Sequence, residues 1–233
     1  MTSFLKKSLI ECEYYSQSGR NAWLRVSGLQ FCLGIRRAEL LKYSCEITLD
    51  PNTAHNELLL SEENRKVTWI DKPQSLSSHP DRFTDWFQVL SRESLTGRCY
   101  WEVEWSGIQV HVAVAYKNIS RAGIGNECEF GANDKSWALY SSQNGYQFGH
   151  NNIWTSISGP DSSRVGVYLD HRAGILSFYS VSETMTLLHR VQTTFTQPLH
   201  AGVLVCYGES ADFWCVGVVY LVWVVLFTCR LTH

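Results

Sequence analysis

From residue 46 onward, apolar runs of four to eight residues alternate with groups of Gly, Asn, Asp, Ser and Pro. This spacing is typical of short antiparallel strands joined by turns, and no helical period of useful length interrupts it. We therefore expect an all-β sandwich or barrel. Runs rich in β-branched and aromatic residues predict strands at residues 100–105, 110–116, 164–170, 175–181 and 201–207.

The predicted strand at residues 100–105 separates its side chains by chemistry. Trp101 and Trp105 share one face with a valine between them, whereas Glu102 and Glu104 share the other, because successive side chains of a strand point to opposite faces. We expect the tryptophan face to pack in the core and the glutamate face to be exposed or ion-paired.

Turns and a single helix complete the local picture. Residues 141–145 and 170–174 each end in a glycine and predict hairpin turns between neighbouring strands. The helical candidate near the start of the chain is residues 36–43, about two turns long, and such a helix would close one end of a sheet.

Composition and charge narrow the class of protein. The chain has 9 Trp, 11 Tyr and 10 Phe, which favours a sheet-rich domain whose aromatic residues fill a core or line a recognition surface. Residues 46–212 hold twelve Lys and Arg against nineteen Asp and Glu. Because an acidic body gains little from counterion release by phosphates, nucleic-acid binding is not expected.

The eight cysteines indicate no structural zinc site, because there is no Cys-x-x-Cys pair and no close Cys/His pairing. Glycine motifs for phosphate or dinucleotide binding are also missing, so no cofactor is expected. No apolar stretch of signal-peptide length follows Lys6 and Lys7. We therefore expect reduced cysteines and a cytoplasmic location.

Several blocks resemble, in order, the PRY-SPRY domain family. Residues 49–55 and 58–69 resemble the PRY segment. Five further blocks resemble the SPRY part: residues 97–103, 130–137 (Phe-Gly and Lys-Ser-Trp), 164–170, 174–179 and 195–199. The resemblance covers residues 40–215 and points in particular to the modules that end fish NOD-like receptors and fish tripartite-motif proteins.

This resemblance implies a bent sandwich of two antiparallel sheets with a short N-terminal helix, in which the PRY strands complete one sheet. It also implies a non-catalytic surface that binds a protein ligand through loops at one end, in innate immune sensing or regulation. The corresponding division is an unassigned segment at 1–35, PRY at 36–95, SPRY at 96–216 and an apolar tail at 217–233.

Three long polar stretches that contain aromatic residues are the candidate recognition loops: residues 71–86, 117–133 and 141–154. Core packing is the alternative for their aromatic residues, and either Phe83 or Trp86 is expected to cover a sheet edge. The candidate ligand-binding side chains, chosen for hot-spot chemistry, are Arg82, Phe83, Trp86, Lys117, Arg121, Trp137, Tyr146, Phe148 and Trp154.

Two alternatives stay open. Glu102 and Glu104 would lie about 7 Å apart on one strand face, a separation comparable to that of glycosidase carboxylates, so a carbohydrate-active enzyme is one alternative. Residues 213–229 hold no charge, and a helix of that length spans about 25 Å, against roughly 30 Å for a bilayer core. A tail anchor that tethers the same module to a membrane is the other alternative.

Overall fold

A computed structural model describes residues 13–17, 21–26 and 29–214, with side chains from Arg37 to Phe213. One short α-helix, α1 (Ile35–Leu40), is followed by a 3₁₀ turn at Leu41–Tyr43. The strands are β1 (Glu13–Gln17), β2 (Asn21–Val26), β3 (Leu29–Gly34), β4 (Leu58–Ser61), β5 (Lys66–Trp69), β6 (Gln88–Leu90), β7 (Arg98–Ser106), β8 (Gln109–Tyr116), β9 (Ser136–Ser142), β10 (Gly145–His150), β11 (Ile153–Ile157), β12 (Arg164–Asp170), β13 (Ile175–Val181), β14 (Met185–Gln192), β15 (Leu199–Leu204) and β16 (Ser210–Trp214).

Two antiparallel sheets form the sandwich, which confirms the predicted fold class. One has six strands in the order β11-β10-β9-β8-β15-β6, and the other has seven in the order β14-β13-β12-β7-β16-β5-β4. Strands β1 to β3 pair in a separate three-stranded sheet. The expectation that the PRY strands complete one sheet is corrected: β4 and β5 extend the seven-stranded sheet, whereas β6 is the edge of the six-stranded one.

The main core lies between the two sheets. Trp101 is fully buried and Trp105 is 8% exposed, as their shared strand face predicts. On the facing sheet, Val110, Val112 and Val114 of β8 point into the same core. Burial of these large apolar groups is the main stabilising term of such a domain.

A second apolar cluster covers the outer face of the six-stranded sheet. Residues 117–133, the covering loop, cross this face and bury Phe130 beside Phe83, with the two rings 5.7 Å apart. The small side chains of β8 on this face leave room for both rings. The buried Gln88 amide ties down the loop backbone, because its Nε2 donates to the Cys128 carbonyl at 2.8 Å and its Oε1 accepts from the Phe130 N–H at 2.7 Å.

Helix α1 docks on the outer face of the seven-stranded sheet through an ion pair. Arg37 donates two hydrogen bonds of 2.9 Å to the fully buried Glu102 carboxylate, and the Tyr100 hydroxyl donates a third at 2.7 Å. Arg164 lies 3.6 Å from Glu102 and 2.7 Å from Glu104. The buried charge is thus compensated on several sides, as a buried carboxylate requires.

Two of the cysteines are joined in a disulfide, which corrects the expectation of reduced cysteines for this pair. Cys45 and Cys99 are bonded with a Cα–Cα distance of 5.6 Å, typical of a disulfide. The bond links the segment before β4 to the start of β7. Cys128 and Cys206 are free thiols.

The predicted apolar tail at 217–233 lies outside the described residues, and the candidate membrane span at 213–229 is described only at its start. The last strand, β16, ends at Trp214, so residues 215–229 of the candidate membrane span lie outside the described residues. Within residues 29–214, no helix is long and apolar enough to cross a bilayer.

Candidate recognition surface

Strand directions bring six connections together at one end of the sandwich, which we call the loop end. β7 and β8 turn there, β9 and β10 turn there, and β15 reaches the same end before β16 begins. The connections are the segment at 70–87, which begins and ends there, the turns at 107–108, 143–144 and 182–184, the segment at 158–163 and the loop at 205–209. The opposite end carries the turn at 151–152 between β10 and β11.

Three aromatic rings gather at the loop end. Tyr207 packs edge-on against Trp69 and Phe87 at centroid distances of 4.8 and 5.7 Å, and Trp69 and Phe87 are 6.4 Å apart. Tyr207 is nevertheless 70% exposed, and Ile108 in the neighbouring turn is 66% exposed. Large apolar side chains presented on a fixed backbone are typical of the centre of a protein interface.

A buried histidine packs against this group of aromatic rings. The His55 ring lies edge-on to Phe87 at 4.8 Å. Its Nε2 lies 3.0 Å from the Thr84 carbonyl and its Nδ1 accepts from the Glu57 N–H at 3.1 Å, which together fit a neutral ring that donates through Nε2. Burial lowers the pKa of His55 and keeps the ring uncharged.

Three of the nine predicted ligand-binding side chains are buried. Phe83 has no exposed surface and lies in the second cluster beside edge strand β6, as expected for one of the pair Phe83 and Trp86. Trp137 stacks on His150 at 4.6 Å within the main core. Tyr146 is also in the main core, with its hydroxyl bonded to the Pro160 carbonyl at 2.8 Å.

The two predicted arginines bind the protein's own backbone. Arg82 donates to the carbonyls of residues 51, 54 and 77 at 2.9, 2.6 and 3.2 Å. Arg121 donates to the carbonyls of residues 81, 119 and 117 at 2.8, 2.7 and 2.6 Å, and its guanidinium lies 4.7 Å from the centre of the Phe83 ring. Both guanidiniums therefore fasten loops to the sheet.

The other four predicted residues are partly buried or exposed. Trp86 and Trp154 pack on the second cluster, and Phe148 stacks on His189 at 4.1 Å. Lys117 is exposed and lies 3.6 Å from the Asp81 carboxylate. The structure spreads the nine side chains over the framework and does not gather them in one patch. Ligand binding by any of them stays a prediction.

Sequence reasoning missed the four side chains that the loop end does gather: Trp69, Phe87, Ile108 and Tyr207. The sequence pattern predicts a strand at 201–207 that ends with Tyr207, whereas β15 ends at Leu204. Two signals were available, since Tyr207 directly precedes a glycine and Ile108 directly follows one. An apolar residue inside a tight glycine turn has little core to reach.

The acidic pair does not form an open catalytic arrangement. An open polar groove of about 930 Å³ is lined by Glu104, Lys66 and Asp212, but Glu102 is not part of its wall and its side chain has no exposed surface. A glycosidase needs both carboxylates to reach the scissile bond. In the stretch described, no group of three or more His, Cys, Asp and Glu side chains could hold a metal ion.

Comparison with known proteins identifies a family with the same kind of fold, an antiparallel sandwich with loops gathered at one end. The chain matches the family model of the SPRY-associated domain PRY over residues 47–95 and that of the SPRY domain over residues 98–217. The protein therefore belongs to the PRY-SPRY family. SPRY domains are in general non-catalytic protein-interaction modules, including in tripartite-motif proteins.

Its relatives include toxins and tripartite-motif proteins. The chain is 42% identical to stonustoxin subunit beta of Synanceia horrida over 173 residues, which is 72% of this chain and 24% of that protein. It is 38% identical to tripartite motif-containing protein 16 of Mus musculus over 181 residues, or 75% of this chain and 32% of that protein. The chain thus spans a quarter to a third of these relatives.

Solved structures show the same fold. A stonustoxin structure superposes with a TM-score of 0.71 at 34% identity, over 85% of this chain and 33% of that one. The crystal structure of the PRY-SPRY domain of TRIM65 superposes with a TM-score of 0.72 at 26% identity, over 78% of this chain and 97% of that one.

Proposed function

We propose that this chain is a non-catalytic module that binds a protein ligand through the loop end. The observation that carries the proposal is the exposure of Tyr207, which packs against the Trp69 and Phe87 rings, together with that of Ile108 in another turn at the same end. An interface centre needs rigid apolar side chains that lose little entropy on binding. The partner surface that fits is a small apolar patch or pocket.

The proposed setting is innate immune sensing or regulation, in the cytoplasm. Support comes from the resemblance to modules of NOD-like receptors and tripartite-motif proteins, and from the tripartite-motif relatives. The membrane-tethered form rests on residues 215–229 alone.

A matched pair of substitutions tests the proposal. Ile108 and Ile153 are 66% and 67% exposed and lie at opposite ends of the sandwich. Full-length wild type, Ile108→Ser, Tyr207→Ser and Ile153→Ser are used as bait for affinity capture with quantitative mass spectrometry. We expect a protein that wild type and Ile153→Ser retain and that Ile108→Ser and Tyr207→Ser lose by at least about tenfold, since a hot-spot side chain contributes more than 1 kcal/mol.

Equal retention by all four baits would contradict the proposal. Loss confined to Ile153→Ser would place the binding surface at the opposite end of the sandwich.

A further inference from the structure

Glu209 is a buried acid that no part of the proposed recognition uses directly. The residue is only 2% exposed and closes the loop at 205–209, directly before β16. Within the described part of the chain, no Lys or Arg forms a salt bridge with it. A buried carboxylate without a cation is costly unless hydrogen-bond donors surround it.

Backbone N–H groups from two different loops supply these donors. The Gln109 N–H donates to Oε1 at 2.9 Å, and the Cys206 N–H donates to Oε2 at 2.6 Å. Burial raises the pKa of Glu209, whereas its backbone hydrogen bonds, including one from Ile108, act in the opposite direction. One side chain thus bridges the β7–β8 turn and the β15–β16 loop.

The main chain of Glu209 extends the bridge to a third element. Its carbonyl accepts from the Trp69 N–H at 3.0 Å, at the end of β5. Glu209 therefore contacts the backbone beside Ile108, within the Tyr207 loop and at Trp69. These are the elements that present the exposed side chains of the loop end.

The turn at Gly107 is shaped to receive this side chain. A Cβ at Gly107 would lie 2.6 Å from Cγ of Glu209 and 3.2 Å from its Cα, and Gly107 has a φ of +117°. Only glycine allows both the backbone conformation and the close approach.

We propose that Glu209 is a positioning residue: its carboxylate binds two loops at once and fixes Ile108 and Tyr207 in one relative arrangement that an apolar partner surface recognises. The recognition part rests on the proposed function, whereas the bridge itself is measurable without any partner. A partner that contacts both side chains would depend on Glu209 without touching it.

The first test is amide hydrogen exchange of the full chain, resolved to single residues. Glu209→Gln keeps the shape but turns an N–H donor toward one of the two backbone N–H groups. We expect exchange at Gln109 or Cys206, or at both, to rise about tenfold, the loss expected for one hydrogen bond. Amides at residues 110–116 of β8 and throughout β9 should keep their wild-type rates. Glu183→Gln, an exposed acid in the turn after β13, is the control.

A second pair of variants tests the contact between Glu209 and the turn at Gly107. Gly107→Ala should accelerate the same amides, because its Cβ collides with Glu209. Gly145→Ala is the matched control, since Gly145 has a similar φ of +113° but nothing within 4 Å of the added Cβ. Gly145→Ala should therefore carry the backbone strain without the faster exchange at Gln109 and Cys206.

The recognition part is tested with synthetic antibody fragments selected against the wild-type chain. Fragments that require both Ile108 and Tyr207 should bind Glu209→Gln about tenfold more weakly, and fragments that require Ile153 should bind it unchanged. Unchanged exchange at Gln109 and Cys206 in Glu209→Gln would overturn the proposal. So would an equal rise at amides throughout β8 and β9, which would reveal a purely global effect. Failure of the capture experiment alone would contradict the proposed function and leave the bridge standing.

Discussion

The covering loop at 117–133 and the loop at 205–209 each hold one aromatic residue, and they place it in opposite ways. The covering loop buries Phe130 and Ile119 against the outer face of the six-stranded sheet. The loop at 205–209 buries its acid, Glu209, and exposes its aromatic residue, Tyr207. The covering loop thus keeps its aromatic residue in the framework, although its Ile124 is 83% exposed, whereas the loop at 205–209 presents its aromatic residue to solvent.

The comparison shows that hot-spot residue types do not by themselves locate a binding surface. Arg121 has the chemistry of an interface anchor, but backbone carbonyls of its own chain accept its donors. Tyr207 faces solvent, although its loop is bound to the framework through the Glu209 carboxylate.

The largest expected effect concerns Phe83 beneath the covering loop. Phe83→Ala should lower the free energy of unfolding by about 3–5 kcal/mol, the range for emptying a buried aromatic site. Tyr207→Ala, which removes a ring of similar size that is 70% exposed, should cost about 0.5 kcal/mol or less. Urea denaturation of both variants measures the difference, and similar losses would erase the distinction between the two loops.

The free energy of unfolding is also expected to depend on pH, because a histidine is buried on the outer face of the six-stranded sheet. His111 is buried between Tyr140 and Trp154, and burial lowers its pKa from 6.5 to about 4. The unfolded chain therefore binds the proton more tightly, so this stabilisation is complete above about pH 6.5 and is lost progressively as the pH falls from there to about 4. The loss should reach about 3 kcal/mol.

The measurement is the free energy of unfolding from pH 7 to pH 4 for wild type and His111→Phe, which keeps an aromatic ring in place. The wild-type curve should fall more steeply. Burial also lowers the pKa of His55 and His200, so His111→Phe should retain a smaller slope of the same sign. Parallel curves would contradict the assignment of His111 as a neutral buried ring.

The sequence was sufficient for the fold because strand patterns are local. Alternation along residues 100–105 correctly predicted a buried Trp101, and residues 170–174 form the predicted hairpin turn. The placement of the PRY strands was predicted less well. Which sheet β6 joins depends on its pairing with β15, more than a hundred residues away, and no local pattern encodes such a partner.

The candidate site was harder to predict for the same physical reason. Burial of Phe83 depends on the covering loop at 117–133, far along the chain, and the role of Glu209 depends on a turn one hundred residues earlier. The disulfide between Cys45 and Cys99 likewise joins residues 54 positions apart. Composition identifies side chains suited to binding, but only tertiary contacts show which of them are already used.

The most direct test of the central claim is the hydrogen-exchange footprint of a captured partner on the full chain. Slower exchange in the complex should be found at residues 107–109 and 205–209, with the covering loop at 117–133 unchanged. Protection confined to residues 117–133, with the loop end exchanging as in the free protein, would contradict the account.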